Sequence, residues 1–296
     1  RFSHLILADL LYCNIPGWSA SVTTSASKTV VSTDQVRAEL MAHAPQGIGP
    51  AQEVWVGLQL AHQPEWHTYW KNAGDSGLPT SFEWILPPGI SAGDIAWPTP
   101  HKITIGNLVN YGYDGKILLP VPLQIAPNFQ PNLSNSDLEI QLKASWLVCR
   151  KECIPQEGEF SLTIPLKSST ALNSVDFSQA FAAQPKGLKE SATMRISGQE
   201  LHLSVHGLPP HTVGKRLELF PESPEITAPA AAWSQSWDGS TWNASVPLSP
   251  QRSQTPNELA WVLSEQGGSY RAVGKVSGAW PAELTPEEIA AAQSVR

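Results

Sequence analysis

SWLVCRKECIPQEGEF, residues 145–160, holds two of the chain's three cysteines, four positions apart. Along one straight strand Cys149 and Cys153 would share a face but lie roughly 13 Å apart, at about 3.3 Å per residue. A disulfide needs α-carbons about 4.4 to 6.8 Å apart. A hairpin with Arg150, Lys151 and Glu152 as its connection brings the two cysteines opposite one another, near 5.5 Å for a hydrogen-bonded pair. If the cysteines bond, the chain turns back on itself here.

On either side of that turn, DLEIQLKASWLVC (137–149) and GEFSLTIPL (158–166) read as strands, and KILLPVPLQI (116–125) precedes them as a third. Upstream, Val36 to Ala42 reads as a strand, APQGIGPAQ as a loop, and Val54 to His62 as a half-buried strand. WHTYWKNAGDSGLPTSFEWILPPG (66–89) opens on a strand-like aromatic run, breaks at AGDSGLP and resumes over Ser81 to Leu86. Turn chemistry in GDSG and PPG supports those limits. Short strands cut by Pro and Gly predict an antiparallel sandwich. From Asn173 to Lys189 the chain changes to a short helix and a linker holding Pro185 and Gly187. Beyond it MRISGQELHLSVHGL, KRLELFPES, WNASVPLSP, NELAWVLSE and SYRAVGKVSG alternate again. The tail from Thr285 has an N-cap, a proline at the first helical position and two glutamates in the first turn. The expectation is an all-β protein with two immunoglobulin-like antiparallel β-sandwich domains in tandem. Residues 1–28 form a signal-like or disordered lead, 29–172 the first sandwich, 173–190 a linker, 191–282 the second sandwich and 283–296 a helical tail.

The composition agrees. The 26 prolines, 21 glycines and 12 tryptophans, with only 15% charged residues, suit short strands and turns rather than a helical bundle. A formal net charge of −7 without a basic cluster argues against nucleic acid as a partner. No run of about 20 apolar residues exists, so any membrane attachment would come through segments absent from this chain. In the lead, Leu5 to Tyr12 is mainly apolar and is followed by the small residues Ser19 and Ala20, resembling a clipped secretory signal, although Asp9 and Trp18 fit it poorly. LLYC (10–13) resembles a lipoprotein acceptor site, but Tyr12 is larger than the usual residue there.

Three cysteines in such a length exclude a disulfide-stapled scaffold. A disulfide closing so small a loop contributes little stability, since loop-closure entropy grows with the residues enclosed. Arg150 and Lys151 favour a thiolate and Glu152 opposes it, and the thiolate is the attacking species in exchange. The bland reading is a structural disulfide pinning the hairpin. A metal site would need His62, His67 or His101 to complete two thiols, and no cofactor is expected. Trp66, Tyr69 and Trp70 read as core and sandwich edge rather than as a ligand box.

With WHTYWKNAGDSGLPT (66–80), WPTPHKI (97–103), NYGYDGKILLPVPL (110–123) and WLVCRKECIP (146–155) in that order, most of the first domain resembles the periplasmic N-terminal region of the DsbD/ScsB family of transmembrane thiol:disulfide interchange proteins. The tight cysteine spacing is closer to the ScsB branch. The second domain matches weakly. The resemblance implies an immunoglobulin-like sandwich in which Cys149 and Cys153 are the exchanging pair. It also implies a protein-disulfide reductase that takes electrons from a membrane-linked thioredoxin-like domain and passes them to periplasmic thioredoxin-fold clients, with Cys153 the cysteine that meets the client. NYGYDG occupies the place of the family's cap loop, which makes Asn110, Tyr111, Gly112, Tyr113 and Asp114 the expected flap, with the two tyrosines shielding the cysteines. The DsbD branch carries a phenylalanine there. The plainer reading makes Tyr111 and Tyr113 alternating strand residues. Two rivals stand beside the resemblance. One is a two-sandwich binding or chaperone-like module with a structural disulfide. The other is a copper-binding protein, which two methionines and the lack of a His/Met-rich tract support little.

Overall fold

A computed structural model describes residues 27–131 and 134–294. The expectations for the lead, including Cys13, lie outside the described residues. The first sandwich runs through β1 (Val30–Ser32), β2 (Val36–His43), β3 (Trp55–His62), β4 (Thr68–Gly74), β5 (Ser81–Ile85), β6 (Ile90–Ala92), β7 (His101–Ile105), β8 (Leu108–Tyr113), β9 (Lys116–Ile125), β10 (Asp137–Cys149) and β11 (Cys153–Pro165). One sheet has the order β1-β2-β3-β9-β6 and faces a second of order β11-β10-β5, while β4-β8-β7 form a third.

Strand β10 shows why the chain folds this way. Leu138, Ile140, Leu142, Ala144, Trp146 and Val148 are buried at every second position, and Asp137, Glu139, Gln141 and Lys143 are exposed between them. That is the period-two pattern of a strand with one face on a core. Opposite them, Leu40, Leu58, Leu60 and Leu119 of the five-stranded sheet are almost fully buried.

α1 (Ser174–Ala182) follows, and its Phe177 inserts against Met41 and Leu118, so the helix lies on the first sandwich. The second sandwich comprises β12 (Lys186–Gly187), β13 (Thr193–Ser197), β14 (Glu200–Val205), β15 (Glu218–Pro221), β16 (Ser234–Asp238), β17 (Thr241–Pro247), β18 (Glu258–Glu265) and β19 (Gly268–Ser277). Its core holds Met194, Leu201, Leu203, Trp242, Trp261 and Leu263. The pairing is antiparallel except where β12 and β13 run parallel to β19. The chain enters this sandwich alongside its last strand, and that return closes the order β15-β18-β19-β13-β14-β17-β16. The tail forms α2 (Pro286–Ser294), and Thr285 and Glu288 make the reciprocal hydrogen bonds of a capping box, at 2.8 and 3.2 Å.

The two sandwiches meet along β4. Between the pairs Tyr69↔Gly112 and Gly74↔Asn110, residues 70–73 of β4 face Tyr111 alone, a bulge that turns side chains out of the ladder. Trp70 and Tyr111 pack edge-on against Phe220 of β15, with centroids 6.2 and 5.4 Å away. Asn72 donates from Nδ2 to the Pro221 carbonyl at 2.8 Å. Glu222 accepts from Lys71 at 2.9 Å and from Arg271 at 2.7 and 3.0 Å. Burial alone would raise the Glu222 carboxyl, but these bonds outweigh it and hold the group below its ordinary range.

Phe220 is fully buried in a cluster otherwise built from the first sandwich, apart from Val262. Phe220→Ala is expected to cost about 3–5 kcal/mol in urea unfolding. The loss should also appear in the fluorescence of Trp70 and its neighbours; a change confined to the second sandwich would mean the two units do not share this core.

Candidate functional site

The hairpin expected at residues 150–152 is present, with Cys149 and Cys153 as register partners and the Arg150 amide donating to the Glu152 carbonyl at 3.0 Å. The two cysteines form a disulfide, and their α-carbons lie 4.1 Å apart, closer than the 5.5 Å expected. The reason lies on the far side of β10. The Cys149 amide donates to the His67 carbonyl and the His67 amide to the Cys149 carbonyl, both at 3.0 Å. Both polar backbone groups of Cys149 therefore point away from Cys153, and the cysteines form a non-hydrogen-bonded pair, the closer of the two antiparallel spacings.

Cys149 falls on the outer face of β10, out of phase with the core positions, yet it is fully buried. Tyr69, Ala73 and Leu147 cover it as a separate small cluster. Cys153 is exposed. The pair thus joins one exposed cysteine to one fully buried cysteine.

The ring that meets the disulfide is Tyr69, whose hydroxyl lies 3.9 Å from Cys153 Sγ. Burial and two neighbours hold that ring. Tyr69 is 1% exposed. His67, two residues earlier on the same strand face, meets it edge-on at 5.2 Å and brings Nε2 within 3.3 Å of its hydroxyl. Gly77 lies against it from the GDSG turn, where φ is +107° and an added Cβ would run into the ring. Burial raises the Tyr69 hydroxyl above its ordinary value, so it stays protonated and able to donate.

Of the five cap-loop residues, Asn110, Tyr111, Gly112 and Tyr113 lie on β8 and are buried. Tyr111 packs on Trp70 and Phe220, and Tyr113 donates to the Pro98 carbonyl at 2.7 Å. The Asn110 side-chain oxygen accepts from the amide and hydroxyl of Ser76 at 3.1 Å. Gly112 sits where a Cβ would strike the Thr68 carbonyl, which lets β8 approach β4 closely. Asp114 is exposed in the next turn and pairs with His101 at 3.4 Å. Nearby, His62 is bonded to the Gly115 carbonyl at 2.7 Å and the Thr68 hydroxyl at 2.9 Å. Among the described residues, no group of three or more His, Cys, Asp or Glu is placed to hold a metal ion.

The charges at the tip are also resolved. Arg150 lies 5.0 Å over the Trp66 ring, 3.8 Å from Glu65 and 3.6 Å from Glu152. Its charge is shared between two carboxylates rather than directed at a sulfur. In the sequence His67 reads as a possible completion of a metal site and Tyr69 as core or sandwich edge; the available signal for their joint role is the spacing of two, which puts them on one face.

Residues 34–165 match the family described as thiol:disulfide interchange protein DsbD, N-terminal. The N-terminal periplasmic domain of ScsB from Proteus mirabilis superposes with a TM-score of 0.61 at 17% identity, covering 86% of this chain and 99% of that one, which shows a shared fold. A titin I-band fragment covers 81% of this chain and 87% of its own at 8% identity, with a TM-score of 0.21. No curated protein matches the chain by sequence. Among the described residues no helix is long and apolar enough to cross a membrane.

Burial, then the neighbouring His62, lowers His67 to about 4, against the weaker opposing pull of Asp114, and burial lowers His62 as well. Unfolded imidazoles take up protons near pH 6.5, which the folded protein resists, so this stabilisation is complete above about pH 6.5 and disappears as the pH falls towards 4. The urea midpoint is expected to fall over that window, and less steeply in His67→Gln; an identical slope in the variant would assign the effect to other groups.

Proposed function

We propose that this chain, whose residues 34–165 match the DsbD N-terminal family of thiol:disulfide interchange domains, is a periplasmic dithiol-disulfide reductase module acting through Cys149 and Cys153. The observation that carries the reading is the asymmetry of the pair: a disulfide closed by three residues at an exposed turn, with Cys153 open to solvent and Cys149 fully buried. A structural crosslink needs no accessible sulfur. An exchanging pair needs one sulfur that a partner can reach and one that resolves.

In the loading half-reaction, a thiolate of a membrane-linked thioredoxin-like donor attacks Cys153 Sγ, and Cys149 leaves as thiolate. The donor's second thiol then displaces Cys153, so two electrons pass to the pair, which takes two protons from solvent. In the unloading half-reaction the Cys153 thiolate attacks the disulfide of a thioredoxin-fold client. Cys149 resolves the mixed disulfide, and the client leaves as a dithiol. Donor and membrane tether belong to segments outside this chain. The cap segment is proposed to comprise Asn110, Tyr111, Gly112, Tyr113 and Asp114, standing behind Tyr69, whose hydroxyl lies 3.9 Å from Cys153 Sγ.

Equilibration against glutathione or dithiothreitol buffers, with thiol counting, is expected to place the pair above about −250 mV; a value below about −300 mV would mean a structural disulfide and a binding module. Incubated with an oxidised thioredoxin-fold protein, Cys149→Ser is expected to accumulate a mixed disulfide through Cys153. Accumulation only in Cys153→Ser would reverse the assignment.

A further inference from the structure

Reactivity at Cys153 depends on what stabilises its sulfur as an anion, and one of the two cations of the turn, Arg150, is diverted from it. Arg150 is held over Trp66 between Glu65 and Glu152. The group aimed at the sulfur is the Tyr69 hydroxyl at 3.9 Å, with His67 Nε2 3.3 Å behind it. Gly77 and the edge of His67 confine the Tyr69 ring, and His67 is itself buried, with its backbone pinned by two hydrogen bonds to Cys149.

A hydroxyl between an imidazole and a sulfur has one proton to give. Beside a thiol it can accept from S–H and donate to Nε2. A thiolate only accepts, so the hydroxyl must donate to sulfur and take its own hydrogen bond from Nε2–H. We propose that His67 and Tyr69 form a donor relay, Nε2–H to Oη and Oη–H to Sγ, that stabilises the Cys153 thiolate, with His67 the positioning residue that sets the direction of the Tyr69 hydroxyl. The inference rests on the exchange chemistry of the preceding section and adds two residues to it. The thiol proton leaves to solvent, to which Cys153 is open, and no electrons move in this step.

The surroundings fit a hydrogen-bonding role rather than a charged one. His67 faces His62 at the end of β3, His101 on β7 and Asp114 after β8, and it stays neutral down to about pH 4. Glu65, Arg150, Lys151 and Glu152 are the charged groups at the tip, and all four are exposed. At neutral pH the relay is an uncharged donor chain, and hydrogen bonds to an ionised acceptor are the stronger kind.

The test is alkylation of Cys153 by iodoacetamide across pH, in the full chain carrying Cys13→Ser and Cys149→Ser so that one thiol reacts. Tyr69→Phe is expected to slow the reaction at pH 7 about tenfold and to move the midpoint of the pH–rate profile upward, with thermal unfolding little changed. His67→Phe should slow it about threefold and His67→Gln, which keeps an N–H donor, should restore most of that loss. In a Tyr69→Phe background, His67→Phe should have no further effect. A Tyr69→Phe profile identical to the parent overturns the relay. So does a His67→Phe effect of equal size with and without the Tyr69 hydroxyl, which would mean packing alone. Tyr69→Phe removes a single oxygen from a packed ring, so it carries the test even where His67→Phe fails to fold. The two readings fail separately. A reduction potential below about −300 mV sinks the exchange function while a reduced Cys153 still alkylates, and an unchanged Tyr69→Phe profile sinks the relay while leaving exchange standing.

Discussion

Two hydrogen bonds between the backbones of His67 and Cys149 organise the site. They anchor β4 against the end of β10 on the side away from β11, and three consequences follow from the geometry of an extended chain. Cys149 has no polar backbone group left to face Cys153, so the cysteines take the close, non-hydrogen-bonded spacing. Tyr69, two residues along β4, falls on the same face as His67 and closes over the disulfide. Trp70, one residue further, points the opposite way, into the core it shares with Tyr111 and Phe220.

That last consequence ties the second sandwich to the first. The bulge at residues 70–73 frees Lys71 and Asn72 from regular pairing, and they meet Glu222 and the Pro221 carbonyl of the second unit. The strand that presents Tyr69 to the disulfide is thus held on one side by the hairpin and on the other by β15. Tyr111 belongs to this arrangement, since its ring is wedged between Trp70 and Phe220. The second sandwich therefore contributes directly to the core around the strand that bears the site.

Much of the architecture was legible in the chain because strands with one buried face write their period into the sequence. DLEIQLKASWLVC and KILLPVPLQI correspond residue for residue to β10 and β9, and the capping box at Thr285 was readable because its partners lie three residues apart. The strands at Ser234–Asp238 and His101–Ile105 carry no clear strand signal in the sequence, and β8 reads there as either a cap loop or a strand. The first two are short and partly exposed, and they are strands because of the neighbours they pair with. The parallel return of β12 and β13 beside β19 has no local signature, since it joins residues about eighty positions apart.

The sequence alone determined the all-β character, and that a bond between Cys149 and Cys153 would require a hairpin at Arg150 to Glu152. These rest on period-two alternation, turn chemistry and the reach of a chain over a few residues, all of them local constraints. Tertiary structure decided which cysteine is buried, where the Arg150 charge is directed, and that His67 and Tyr69 stand behind the sulfur. Each of those depends on β4 crossing to β10, a contact between segments about eighty residues apart that becomes defined only when both faces of the first sandwich are packed.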